Sequence, residues 1–351
     1  MTNVGDLGEF GLIERLRARL GGSRDERLVA GIGDDAAVWR SGAGYAIATT
    51  DTLVAGVHFL PGVAGWRDIG WKALAVNVSD IAAMGGSPSF ALVTLHLPPD
   101  TPVAVVDEMY AGLYECADVY GVTIAGGDIV VSPVLAITIA LMGDARIDEA
   151  GRPLLLRRDA AKAGDLIAVT GPLGGSAGGL RVLQAPPAAE QNDGEREMSR
   201  ILAEQHMRPW PRVDAGDIAV SAGFRCGMDI SDGLVQDLGH ICRASGVDAE
   251  LRIDDLPLED GLMALFPEGA RVLAATGGED YELLLVGGEG ALRIAEGALR
   301  KHLGMPGVQQ LTIVGRITGA GAGLVRVIDA AGAEVALPSR GWDHLAPGGR
   351  L

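Results

Sequence analysis

Asp80 stands inside an otherwise apolar stretch, NVSDIAAMGG, residues 77–86, and other aspartates recur in comparable settings along the chain. GIGDDAAV supplies Asp34 and Asp35, TTDT places Asp51 behind Thr49 and Thr50, AGGDIV carries Asp128, and DISDGL carries Asp229 and Asp232. Each of these lies beside Gly or Thr at the end of an apolar run, where a strand delivers side chains to a shared edge. A single aspartate before glycine is ordinarily a turn residue, and Ser231 or Asp232 could cap a helix that begins at Gly233. Repetition reverses that preference. Two carboxylates about 4 Å apart repel by roughly 4 kcal/mol at an effective dielectric near 20, a large share of the ~5–15 kcal/mol that stabilises a domain. Convergence therefore implies cations. Asp and Thr oxygens, with no His or Cys nearby, suit hard Mg2+ rather than zinc, and Mg2+ commonly binds through one or two carboxylates plus substrate phosphates. A nucleotide is the implied ligand. Glycines in AGGD let backbone N–H groups approach phosphate oxygens, although the GxxxxGK[ST] phosphate loop is absent from the chain.

The elements that must position these groups follow from periodicity. Trp71, Leu74, Ala75, Val78 and Ala82 recur at helical spacing, which predicts a helix over 69–84 that Gly85 and Gly86 terminate. Asp80 falls opposite that stripe, yet its own side carries Ala73, Val76, Asn77 and Ala83, so it does not simply face water. An unpaired buried carboxylate is costly, and the position needs a cation, a hydrogen-bond network or a shifted pKa. Strands are expected at YAIATTDT, FALVTLHLP, VTIAGGD and VLAITIALMG, with a helix over 103–120. Polar and turn residues accumulate in RIDEAGRP, residues 146–153, which divides the chain into an N-terminal α/β domain, 1–147, and a C-terminal one, 148–351. In the second part GDLIAVTG, AELRI, YELLLV, LTIVGRI and LVRVI read as strands, 233–244 and 292–302 as helices, and 184–195 as a mobile surface loop.

Composition narrows the function class. The chain has 351 residues, of which 48% are hydrophobic, enough for a substantial core or two. No apolar run reaches the length of a membrane span, and the acidic start, with Asp6 and Glu9, is unlike a signal peptide, so a cytoplasmic protein is expected. Cys116, Cys226 and Cys242 lack CxxC spacing, which suggests neither a disulfide framework nor a thiolate zinc site. A net charge of −17 argues against a nucleic-acid backbone as partner.

GIGDDAAV, TTDTLVAGVHF, KALAVNVSDIAAMGG, GGDIV, DISDGL, GGEDYELL and GWDHL, in this order over nearly the whole chain, resemble the thiamine-monophosphate kinases. The resemblance implies transfer of the γ-phosphate of ATP to thiamine monophosphate with several Mg2+ ions, and a homodimer formed through N-terminal strands. It also implies the two-domain aminoimidazole-ribonucleotide-synthetase-like α/β fold, with mixed sheets covered by helices. By the same resemblance Asp35, Thr49, Thr50, Asp51, Asp80, Asp128 and Asp229 hold metal, Asp34 assists, and Asp232 holds a further ion. Asp51, Asp80 and Asp128 carry the catalytic charge. Tyr110, Gly127, Asp128, Arg158 and Ser231 meet ATP, with Arg157 as the alternative register for Arg158. His58, Glu279 and Trp342 surround thiamine monophosphate.

Read without the resemblance, those three residues do not identify a ligand. Trp342 could stack on a flat ring or anchor a satellite core, Glu279 could accept from an amino group or lie in a turn, and His58 could pack. Related activities fit less well. Selenophosphate synthetases carry a reactive Cys or selenocysteine near the N-terminus, and the hydrogenase-maturation carbamoyl dehydratases end in cysteine, whereas here the chain ends GGRL. For aminoimidazole ribonucleotide synthetase a different motif is expected where TTDTLVAGVHF stands. A non-catalytic divalent-cation-binding protein accounts for the aspartates but not for a separate aromatic and acidic site.

Overall fold

The computed structural model describes residues 4–20, 25–185, 192–301 and 310–342. In chain order the first elements are α1 (Val4–Leu20), β1 (Leu28–Ala30), β2 (Ala37–Ser41), β3 (Gly44–Val54), α2 (Trp66–Ala83), β4 (Gly86–Leu97), α3 (Val103–Tyr120), β5 (Thr123–Val131), β6 (Ala136–Ile147) and β7 (Pro153–Leu154). There follow β8 (Leu166–Val169), α4 (Gly175–Gln184), α5 (Asp193–Met207), α6 (Val213–Ala222), β9 (Cys226–Asp229), α7 (Leu234–Ser245) and β10 (Val247–Arg252). The last are α8 (Asp260–Leu265), α9 (Ala270–Thr276), β11 (Leu283–Gly287), α10 (Glu289–Leu299), β12 (Thr312–Ala320) and β13 (Val325–Ile328).

The strands form two mixed sheets, ordered β1-β2-β3-β6-β4-β5, with β7 beside β6, and β13-β10-β12-β8-β11-β9. Helices cover both, as the alternation of apolar runs predicts. Among the described strands, β4–β5 and β10–β13 pair in parallel; α3 makes the crossover between β4 and β5 that a parallel pair requires.

α2 lies between the two sheets. It packs on β3, β4 and β6 on one side, while Ala82 and Ala83 join Ala215, Ala219, Val220, Leu283 and Leu285 of the second half. Every residue from Ile69 to Ala83 is buried except Asp80, so the helix is apolar all round because it is enclosed all round. α3 crosses it at two glycines. A Cβ on Gly70 would stand 1.9 Å from the Met109 carbonyl oxygen, and one on Gly112 1.8 Å from that of Arg67, so this crossing admits no side chain.

Two features differ from expectation. The stretch 184–195, read as a loop, ends in structure: α4 runs through Gln184, and Asn192 caps α5, accepting from Glu195 N–H while the Glu195 side chain accepts from Asn192 N–H. That reciprocal cap satisfies two N–H groups and starts the helix at Asp193, and residues 186–191 lie outside the described residues. The polar stretch 146–153 is a hairpin, in which β6 continues to Ile147, Asp148 accepts the N–H groups of Ala150 and Arg152, and β7 pairs back on Arg146 and Ile147.

Candidate functional site

The loop before β2, the C-terminal turn of α2 and the end of β9 meet at one point. Carboxylate oxygens of Asp35, Asp80 and Asp229 lie within 4.8 Å of one another. Neighbouring hydroxyls hold two of them: Thr49 Oγ1 donates to Asp80 Oδ2 at 2.5 Å, and Ser79 Oγ donates to Asp229 Oδ2 at 2.6 Å. Asp51, next but one to Thr49 on β3, is fixed through its backbone, whose N–H donates to Asn77 Oδ1 at 3.0 Å. Burial, and then the charges of Asp51, Asp229 and Asp35, push the Asp80 carboxyl well above its usual range. Burial and then Asp35 raise Asp229 to about 7.

Arg158 reaches this cluster. Its Nη2 donates to Asp35 Oδ1, and Asp34 Oδ1 accepts the Arg158 backbone N–H at 2.8 Å, so the first aspartate of the pair orients the arginine that reaches the second. Adjacent Arg157 turns away to Asp159. Asp35 Oδ2 and Arg158 Nε are both buried without a hydrogen-bond partner among the described residues. An orphaned carboxylate oxygen, three converging carboxylates and a donor set of oxygen alone suit a hard divalent cation.

Not every expected residue reaches this point. Strand register places Asp51, Ile139, Val93 and Gly127 in one row across β3, β6, β4 and β5, and Thr52, Thr138, Thr94 and Asp128 in the next. Side chains alternate between faces, so Thr50, Thr52 and Asp128 point to the face opposite Thr49 and Asp51. Three strand spacings also put β5 about 14 Å from β3 along the sheet. Asp128 is exposed on the edge strand, and its own carboxylate accepts the next N–H, from Ile129. Gly127 is required there by packing, since a Cβ would meet the Val93 carbonyl oxygen at 1.7 Å. Tyr110 lies on α3 with its ring 6.0 Å from that of Tyr114.

A second group forms beside Ser231, where ligand atoms of Asp232, Asp237 and His240 lie within 4.8 Å of one another. Asp237 Oδ2 accepts the N–H groups of Asp232 and Gly233, which fixes the turn into α7. The same loop joins two residues read as substrate contacts: Glu279 N–H donates to the Ser231 carbonyl at 2.8 Å, and Trp342 N–H to the Asp232 carbonyl at 3.0 Å. His58 faces an apolar cavity lined also by Leu53, Phe59, Ile69, Leu180 and His206, and its Nδ1 accepts the Val54 N–H.

Lys72, Asn77, Ser79, Asp237 and His206 were not singled out by sequence. The available signal was the run of polar residues at 72, 77 and 79 on a helix that shows no polar face.

The family model for AIR synthase related protein, N-terminal domain, matches residues 33–145, and that for the C-terminal domain matches residues 162–328. A thiamine-monophosphate kinase of Escherichia coli (strain K12) is 39% identical over 349 residues, covering 97% of this chain and 98% of the relative. A solved structure of AaThiL complexed with AMPPCP and TMP is 31% identical with TM-score 0.81, covering 98% of this chain and 99% of that one. The crystal structure of thiamine-monophosphate kinase from Stenotrophomonas maltophilia K279a is 37% identical with TM-score 0.71, covering 92% and 96%.

Proposed function

The chain belongs to the thiamine-monophosphate kinases of the AIR synthase related family, and from that premise we infer that it transfers the γ-phosphoryl group of ATP to thiamine monophosphate, forming thiamine diphosphate. The observation that carries this reading to the chain's own residues is the convergence of Asp35, Asp80 and Asp229 with Arg158 donating to the first.

Mg2+ is the proposed cation, which Asp35, Asp51, Asp80 and Asp229 would hold with Thr49 beside them, and it would supply neutralisation of the phosphate charge during transfer. Arg158 adds a fixed positive charge at the edge of this group, and Asp34 keeps it there. Thr49 and Ser79 orient Asp80 and Asp229 by donating to one oxygen of each. The acceptor is an anionic phosphate at neutral pH, so no residue has to remove a proton from it. Glu279, His58 and Trp342 bind the organic part of the acceptor, Ser231 and Tyr110 the nucleotide, and Asp232 a further ion. The proposed domains are 1–147, which bears most of the metal ligands, and 148–351, which completes the ATP and substrate sites, with β7 pairing back across the boundary onto β6.

Two observations support a homodimer. β5 is an edge strand whose apolar Ile129 and Val131 are 69% and 81% exposed on one face, and Phe90 and Leu92 of β4 are exposed on the other, the face of Asp128, surfaces a soluble chain ordinarily covers. Asp128 and Thr50 are turned from their own chain's carboxylates, and a second copy docked on this face would supply Asp128 to its partner's site. No described helix is long and apolar enough to cross a membrane, and the cytoplasm is the proposed location.

ATP consumption measured with and without thiamine monophosphate tests the function. Consumption that depends on the acceptor supports it, and equal consumption without it opposes it.

A further inference from the structure

Glu279 is held by a buried network that lies apart from the carboxylate cluster. Lys72, on α2 and only 4% exposed, donates from Nζ to Glu279 Oε2 at 3.0 Å. His206, near the end of α5 and also buried, places Nδ1 3.3 Å from the same oxygen and 2.9 Å from Ser176 Oγ. Both contacts fall on Oε2. The backbone under this carboxylate is in the left-handed region, with φ 66° at Glu279 and 52° at Tyr281, the two non-glycine residues with positive φ among those described. For a residue with a side chain such a conformation is strained, and it persists where the surroundings over-determine it.

Lys72 and His206 also line the apolar cavity that holds His58, Phe59, Ile69 and Leu180. A flat heteroaromatic ring suits those walls, and a carboxylate at the rim suits an amino donor on that ring. We propose that Lys72 and His206 are positioning residues for Glu279, fixing one oxygen of its carboxylate so that the other is presented to an amino-bearing heteroaromatic ring lodged in this cavity. The proposal rests on the reading of Glu279 as a substrate contact.

The charges around Glu279 agree with this role. Burial alone raises a carboxyl group, but the Lys72 charge, with the histidines beside it, outweighs burial and holds Glu279 below its usual range. Tyr281 also faces Glu279 and is kept neutral by its own burial. His206 is pushed down to about 4 by burial and then by Lys72, which leaves it a neutral donor and Lys72 the counter-charge. Without that counter-charge a buried carboxyl takes up a proton and ceases to be a full acceptor.

The test uses Lys72→Met, His206→Leu, Lys72→Arg and Glu279→Gln in the full chain, with circular dichroism to establish folding and with KM measured separately for thiamine monophosphate and Mg·ATP. Lys72→Met and His206→Leu are expected to raise the KM for thiamine monophosphate about ten- to a hundredfold and leave that for Mg·ATP unchanged. In Lys72→Met this KM should climb further as pH falls from about 8 to about 6, whereas wild type and Lys72→Arg stay flat. On a Glu279→Gln background neither substitution should add to the loss.

If Glu279→Gln alone leaves the KM for thiamine monophosphate unchanged, the substrate reading of Glu279 fails and the proposal with it. If Glu279→Gln weakens that substrate but Lys72→Met and His206→Leu do not, only the positioning role is overturned. Equal losses for both substrates would make the network a mere structural tie. Should Lys72→Met not fold, the same decision rests on His206→Leu.

Discussion

Arg158 and Asp35, 123 residues apart, form an ion pair in which Asp35 offers one oxygen to the guanidinium while its other oxygen has no hydrogen-bond partner among the described residues. On the proposed metal assignment, a guanidinium and a metal ion would compete for one carboxylate while both serve the same anionic substrate. Arg158→Gln is expected to bind Mn2+ alone about tenfold more tightly, followed by the electron paramagnetic resonance of free Mn2+, and to bind Mg·ATP about ten- to a hundredfold more weakly. Both affinities moving in the same direction would contradict this competition.

Asp80 is the one residue from Ile69 to Ala83 that is not fully buried, and burial, then the charges of three other acidic side chains, raise its carboxyl. Asp80→Asn removes together like-charge repulsion and one of the charges proposed to bind metal. Its melting temperature without ligands should equal or exceed that of wild type, while turnover falls by at least about a hundredfold. A variant with near-normal turnover at ordinary Mg2+ would remove Asp80 from the site.

Asp280 accepts the N–H groups of Gly174 and Ser176 at the start of α4, and burial pushes its carboxyl up to about 7. A carboxyl raised on folding binds its proton more tightly in the native state, so its stabilisation is full below its unfolded pKa of about 4 and is lost as pH rises through about 7. Between about pH 5 and pH 8, in EDTA, the melting temperature of Asp280→Asn should fall less than that of wild type. Parallel curves would show that Asp280 does not titrate in this window.

Asp128 and Asp80 belong to different faces of the sheet system, and the dimer proposal joins them across two chains. Asp128→Ala and Asp80→Asn, each inactive alone, should regain about a quarter of wild-type activity when unfolded and refolded together, since half the dimers are mixed and one site in each is intact. No recovery despite mixed dimers would place Asp128 in the site of its own chain.

How far these relationships were legible in sequence depended on the distance over which they act. Asp80 was legible because the residue types from 69 to 83 leave no polar side for it. Lys72 and Ser79 were not, because their partners, Glu279 and Asp229, are 207 and 150 residues away and a lone lysine or serine on a helix ordinarily faces solvent. Asn192 and Glu195 carried a capping signal, but the turn residues Pro186, Pro187 and Gly194 around them favoured a loop. Thr50 and Asp128 stood in the right motifs, yet a motif does not state which face of a strand its members occupy; register does.

The central claim is most directly tested by the choice of acceptor. With wild-type protein, ATP and Mg2+, ADP formation should match thiamine diphosphate formation one for one when thiamine monophosphate is supplied, as read by chromatography of both products. Unphosphorylated thiamine should give neither, because it lacks the phosphate that the metals are proposed to hold. Efficient phosphorylation of free thiamine, or ADP released without thiamine diphosphate, would contradict the account.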